Sequence, residues 1–439
     1  MQSFEKRQRA QSALAIVGVD AGKFHHALIV RPRGGRDSRP LTLPTSRAGF
    51  DDAVERILSI TRLAHPSAAP ADILIGIEFA GSYGFTFAHY LHHRGFQIVT
   101  VLPSDTKRWK DLMHHQALKT DAKDALGITD LVSQGHFVRF AFLEPVYAEL
   151  RYLVSTRERF SLQRRAAITR LKSTLELVFP EFERLFPTIH RPTPLALLAA
   201  FPCPEALLAA PKCRVLAVLK TASRNHLGLD TYAALRTAAV ASLGLPLAQG
   251  APARELPLVI EQLQLYERHL AAVEQAMVAA LAPLPEAAAL RTIPGVQAVT
   301  AATFIGAVGD VQAYESSRQI LRLAGLSLVE ASSGVHKGRE RLSKRGRPVL
   351  RRHAFLFALR CVREGGLFKT EFDAMVQRNG GVKLKALAAL SREVLKIMYT
   401  VARERRSFVA VHVPADQRPE RASDPVGVDR PTGARRRHR

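Results

Sequence analysis

The sequence predicts an α/β unit at the N-terminus, then a long helical, coiled-coil-like region and a small, mainly α unit at the C-terminus. Three observations carry this. Two apolar runs, Leu14–Val19 and Ile73–Ile77, have the length of buried strands, and each is followed at once by an acid, Asp20 and Glu78. The stretch Lys119-Thr-Asp-Ala-Lys-Asp124 sets two carboxylates three residues apart, among Ala122, Ala125 and Leu126, which suit a helix. Further along, two segments carry apolar residues in alternating steps of three and four over several turns. At 439 residues the chain is long for one domain. The expected divisions are 1–142, 143–287, 288–405 and a basic tail, 406–439.

The elements follow in order. Leu14-Ala-Ile-Val-Gly-Val-Asp20 is a strand, Ala21-Gly-Lys turns the chain, and Phe24–Val30 is the next strand. The pair is a hairpin whose first arm ends in a carboxylate. A third strand at Leu41–Leu43 stops at Pro44. Ala48–Ala64 has helical spacing through Phe50, Val54, Ile57 and Leu58. Ile73–Glu78 is a strand, Phe87–His93 a helix, and Phe96–Leu102 a strand closed by Pro103. Lys107, Arg108, Trp109 and Lys110 then make a basic segment ahead of the helix bearing Asp121 and Asp124.

After Phe142 the character changes. Leu150, Leu153, Phe160, Ile168, Leu171, Leu175 and Val178 form one stripe, and Leu256, Val259, Leu263, Tyr266, Leu270, Val273 and Met277 a second. Such helices pair either within one chain or between two. Arg157, Arg164 and Arg165 on the first helix suit a nucleic-acid backbone. Residues 188–250 are rich in Ala, Leu and Pro and helical in character. Leu290-Arg-Thr-Ile-Pro-Gly-Val, entering an Ala-rich segment, has the pattern of a helix-hairpin-helix whose turn amides contact a phosphate. Residues 337–352 hold eight basic side chains (Lys337, Arg339, Arg341, Lys344, Arg345, Arg347, Arg351, Arg352) against one acid, Glu340. A solvated face is the ordinary explanation of such a run. Its Gly-rich setting and Ser343-Lys-Arg-Gly346 favour phosphate contact instead. Leu384–Arg403 is an Ala/Leu-rich helix, and from about Pro414 the chain lacks core residues and is expected to be disordered.

The net charge is +24 and the isoelectric point about 10.6, which implies a polyanionic partner, nucleic acid first. Cys203, Cys213 and Cys361 make no zinc pattern, and their odd number argues against a disulfide framework. No apolar run is long enough to span a bilayer, and MQSFEKRQRAQS lacks a signal-peptide core. A soluble chain in a reducing compartment, with no membrane partner, is expected. Asp121 and Asp124, one helical turn apart, repel unless a cation lies between them. If the strand ends bearing Asp20 and Glu78 are neighbours, four carboxylates converge. Burying them without cations is very costly. Two Mg²⁺ ions about 3.5–4 Å apart would neutralise them and clamp a phosphodiester.

The order D…E…D-x-x-D on this strand–helix plan resembles the Holliday-junction resolvase (RuvC-like) version of the ribonuclease H fold. Lys-Thr-Asp-Ala-Lys-Asp-Ala at 119–125 resembles the DEDD transposases of bacterial insertion sequences, relatives of the Piv-type DNA invertases. The stretch from Ala324 to Arg352, AGLSLVEASSGVHKGRERLSKRGRPVLRR, resembles the C-terminal transposase domain of that family. The resemblance covers about 14–140 and returns at 290–365. It implies that Asp20, Glu78, Asp121 and Asp124 hold the catalytic metals. It also implies that a serine before a glycine is the nucleophile, here Ser333 or, with a one-residue shift, Ser332. The family joins DNA through a covalent serine–DNA intermediate at a site assembled between protomers, so a homodimer or homotetramer is implied. A structured noncoding RNA encoded by the element guides it to donor and target DNA, in the bacterial cytoplasm at the nucleoid. Lys107, Arg108, Lys110 and Lys119 join the basic residues above as expected nucleic-acid contacts. Two other readings stay open: a junction-resolving nuclease using only the acids and water, and an inactive nucleic-acid-binding relative.

Overall fold

The structure, a computed structural model, describes residues 3–79, 81–113, 120–140, 142–245, 250–329, 341–363 and 366–409. The chain divides into two compact units, Met1–Phe142 and Leu143–Arg439.

In the first unit the strands are β1 (Ala15–Ala21), β2 (His25–Pro32), β3 (Leu41–Pro44), β4 (Ile73–Glu78), β5 (Gln97–Val101) and β6 (Val138–Arg139). The helices are α1 (Ser3–Ser12), α2 (Arg47–Ala64), α3 (Phe85–His93), α4 (Pro103–Met113) and α5 (Asp121–Ser133). The strands form one sheet in the order β3-β2-β1-β4-β5-β6. β1, β4 and β5 run parallel, β2 pairs antiparallel with both β1 and β3, and β6 is antiparallel to β5. This is the ribonuclease H-like arrangement that the sequence led one to expect.

The central strands are covered on both sides, which is why they are continuous apolar runs rather than alternating ones. Val17, Val19, Ile75 and Ile77 face one core with Phe50, Ile57 and Phe87 of α2 and α3. Ile16, Leu74 and Val99 face the other, with Trp109 of α4 and Ile128 and Val132 of α5. α2 starts where Ser46 accepts a hydrogen bond from the Gly49 amide at 3.1 Å.

The second unit is helical. Its frame is α6 (Pro145–Val178), and its tip consists of α7 (Phe182–Leu185), α8 (Pro192–Ala200), α9 (Pro204–Ala209), α10 (Lys212–Ser223) and α11 (Leu229–Val240). α12 (Ala251–Leu281) returns along α6, so the two striped helices pair within the chain. At 34 residues α6 is about 50 Å long. An ion ladder crosses the pair: Arg157 to Glu274 at 2.8 Å, Arg164 to Glu267 at 3.0 Å, and Arg170 to Glu255. Leu171, Leu175, Leu256 and Leu263 belong to an apolar core with α8–α11.

The other ends of α6 and α12 share a larger core with the rest of the unit. This comprises α13 (Pro285–Arg291), α14 (Ala298–Val308), α15 (Ser317–Ala324), the hairpin β7 (Leu328–Val329) and β8 (Arg341–Leu342), α16 (Pro348–Cys361), α17 (Lys369–Arg378) and α18 (Lys383–Glu404). Gly295, at φ +83°, makes the Pro-Gly turn between α13 and α14. Among the described residues no helix is long and apolar enough to cross a membrane.

Candidate active site

The register of β1 and β4 sets Asp20 opposite Glu78 and, two residues earlier, Gly18 opposite Gly76. Residues two apart on a strand share a face. Both acids therefore lie on the face that carries α5, one step beyond the glycines. The glycines are what allow α5 to come down on the sheet. A Cβ at Gly18 would lie 2.3 Å from both the Ala125 carbonyl oxygen and the Thr129 hydroxyl, and one at Gly76 would lie 2.3 Å from Val132 Cγ2. Isolated glycines in a strand often mark such an approach. The sequence carries the signal twice, as Val-Gly-Val-Asp and Ile-Gly-Ile-Glu. Attention to the acids alone misses it.

α5 begins at the site. Thr120 accepts from the Lys123 amide and caps the helix, which places Asp121 and Asp124 in its first turn. Asp121 is exposed and Asp124 is buried. α4 packs on α5 just as closely: a Cβ at Gly127 would lie 2.6 Å from the Trp109 ring. The residue after Trp109 is Lys110, and its Nζ lies 2.8 Å from Asp124 Oδ1. Lys110, expected to contact nucleic acid, is thus seated among the acids.

The carboxylates sense one another. Burial, then the charges of Asp124, Asp121 and Glu78, push the Asp20 carboxyl up to about 6, with Lys110 pulling the other way. Among the described residues no three His, Cys, Asp or Glu side chains draw close enough to form an ion cage. An open set of hard oxygen donors whose mutual repulsion is only partly relieved suits a Mg²⁺-type ion, which keeps much of its water shell.

Residues 17–180 match the family model described as "Transposase", of the DEDD IS110 type, and residues 287–372 match "Transposase IS116/IS110/IS902 family". The chain belongs to this transposase family. Two curated relatives align along nearly the whole chain. One is the "Insertion element IS110 uncharacterized 43.6 kDa protein" of Streptomyces coelicolor, 26% identical over 91% of this chain and 96% of the relative. The other is the "Insertion element IS900 uncharacterized 42 kDa protein" of Mycobacterium paratuberculosis, 26% identical over 91% and 97%. A chain from the solved structure "T. thermophilus RuvC in complex with Holliday junction substrate" matches at a TM-score of 0.20 and 13% identity, over 29% of this chain and 99% of that one. A TM-score that low carries no weight. The protein is a DNA transposase of an insertion sequence; the first matched region runs from the first unit into α6 of the second, and the other lies within the second unit.

The transposase's basic residues divide into two groups. Lys107, Arg108, Arg165, Arg341, Lys344 and Arg345 are exposed. The others are engaged in the fold. Arg157 and Arg164 belong to the ladder. Arg347 donates to the Ala307 carbonyl at the end of α14. Arg351 donates to the carbonyls of Ala324 and Lys344 at 2.9 and 3.2 Å, and Arg352 pairs with buried Glu158. His353 also meets Glu158, at 2.9 Å, and burial followed by the charges of Arg352, Arg157 and Arg360 lowers its pKa to about 4. Lys119, Ser332, Ser333, Lys337, Arg339 and the tail beyond Val409 lie outside the described residues.

Proposed function

We propose that the transposase cuts and rejoins DNA with Asp20, Glu78, Asp121 and Asp124 as a metal-binding set and Ser333 or Ser332 as nucleophile. The observation that carries this is the acid edge. Two strand ends in parallel register and the first turn of a helix set the carboxylates in one another's field, and burial first, then that field, raises Asp20 to about 6.

Two Mg²⁺ ions held by these carboxylates would polarise the scissile phosphate. The chain's residues do the rest. Glu78 and Asp20 fix one side of the site from the rigid sheet, and α5 supplies the other. The serine oxygen forms a bond to phosphorus as the phosphorus–oxygen bond to deoxyribose breaks, and the serine proton is passed on as the freed hydroxyl leaves. No water is consumed, so the phosphodiester energy is kept for rejoining.

The exposed cations Lys107, Arg108, Arg165, Arg341, Lys344 and Arg345 track donor and target DNA and a structured guide RNA. Lys119, Lys337 and Arg339 belong to the same reading. The protein works as a dimer or tetramer at the bacterial nucleoid. The divisions at 142/143, 287/288 and 405/406 are retained as functional modules: acid site, helical middle, serine-bearing part and basic tail.

Asp124→Asn and Asp121→Asn test the acid site. Each should abolish recombination in Mg²⁺ and leave nucleic-acid binding within about twofold, because each removes an ion ligand and not a phosphate contact. Full recombination by Asp124→Asn would sink the assignment.

A further inference from the structure

We propose that Lys110 is a built-in, displaceable counter-ion of the acid site: it holds Asp124 in the ion-free protein and has to yield when a divalent cation binds there. The inference rests on the metal reading of the four acids and deepens it. Three observations support it. First, Lys110 is delivered to the site by packing. Trp109 is buried against α5, and the Gly127 contact admits no Cβ. The next residue of α4 is therefore fixed over the first turn of α5. Second, Lys110 Nζ meets Asp124 Oδ1 at 2.8 Å, and that carboxylate is 8% exposed. A lone pair engaged by an ammonium is not available to a metal. Third, the β1–β4 register and the first turn of α5 set Asp20, Glu78 and Asp121 on the same edge as Asp124, so Lys110 brings one positive charge to an edge of negative ones. One ammonium among four carboxylates leaves the cluster short of positive charge, so a divalent ion gains by replacing it. Among the described residues, Lys110 to Asp124 is an ion pair made by one of the four acids.

Lys110 would accordingly set the ion concentration at which the site loads. It would also keep the empty acid edge from repelling itself open. A simple DNA contact would do neither.

The test uses the full-length protein without DNA. Mn²⁺ and Mg²⁺ are titrated by calorimetry, and thermal melts are recorded in chelator. Lys110→Met keeps the apolar stem and removes the charge. It should melt lower than wild type in chelator, yet bind the divalent ion about tenfold more tightly, the effect a neighbouring charge has on a carboxylate's equilibrium. Lys110→Gln, which can still hydrogen-bond Asp124, should tighten ion binding likewise, and Lys110→Arg should not. A purely structural lysine would lower the melt and weaken ion binding, and that result overturns the proposal, as does unchanged affinity in both neutral variants. If wild-type protein shows no saturable ion binding that Asp124→Asn abolishes, the metal reading itself fails and this inference falls with it.

Discussion

Replacing Gly18 with alanine adds one methyl group where there is no room. The new Cβ would lie 2.3 Å from the Ala125 carbonyl oxygen, 2.3 Å from the Thr129 hydroxyl and 2.6 Å from the Thr129 amide nitrogen. The hydroxyl can rotate, but the two backbone atoms belong to the middle of α5. To reach an ordinary contact the helix has to lift from β1 by about 1 Å, since carbon and oxygen rarely approach closer than about 3.4 Å. Overpacking of this kind costs about 1–3 kcal/mol. The same lift moves Asp121 and Asp124 away from Asp20 and Glu78, and displacement by about 1 Å in a catalytic constellation costs about a hundredfold in rate. Gly18→Ala should therefore lose about 2 kcal/mol in the urea transition of the first unit and about a hundredfold in recombination. Gly228→Ala, with nothing within 4 Å of the added atom but at the N-cap of α11, should cost about 0.5–1 kcal/mol in the second unit and leave the recombination rate unchanged. If Gly18→Ala matches that control in both stability and rate, the idea that the paired glycines set the geometry of the acid edge is wrong.

Two further outcomes follow from charge. The Asp20 carboxyl, ordinarily at 3.8, is raised to about 6, so between those values the folded protein holds a proton that the unfolded chain lacks. In chelator, stability should then fall as pH rises through that window, by about 1–3 kcal/mol. Asp20→Asn should remove that slope, as urea denaturation from about pH 3 to about pH 7 (about one unit outside the window on each side) would show. An unchanged difference between variant and wild type across the window would contradict it. Affinity for nucleic acid should decline steeply with salt, and Arg345→Ala should reduce the slope of log K against log salt by about one. A flat dependence would mean that the +24 charge is not a nucleic-acid footprint.

The strand ends were legible in the sequence because a parallel strand covered on both faces is an unbroken apolar run, and an acid at its end is conspicuous. Asp20 and Glu78 became Cα partners because their strands are adjacent and parallel, which a pattern of runs suggests but does not fix. The seating of α5 is not legible in the sequence, since it depends on atoms missing at Gly18, Gly76 and Gly127 rather than on side chains present. In the sequence Lys110 is one of a basic string. The packing of Trp109 and the pair with Asp124 distinguish it from its exposed neighbours Lys107 and Arg108. The run at 337–352 shows the same limit of charge counting. Pro348 starts α16, and helical spacing then turns Arg351 and Arg352 towards carbonyls and Glu158. The stripes of α6 and α12 specified helix pairing but not whether it lies within one chain. The opposed charges at Arg157 and Glu274 and at Arg164 and Glu267, seven residues apart on each helix, hold the register found here.

The most direct measurement is whether DNA carrying the cleavage site stays attached to the protein after denaturation. Wild-type transposase in Mg²⁺, with the proposed guide RNA present, should give a covalent protein–DNA species. Ser333→Ala, Ser332→Ala or the double change should remove that species, and the single variants identify the nucleophile. Asp124→Asn or chelator should remove it as well. Recombination by the double serine variant, with free DNA ends and no trapped species, would contradict the account and leave hydrolysis by the four acids as the chemistry of this fold.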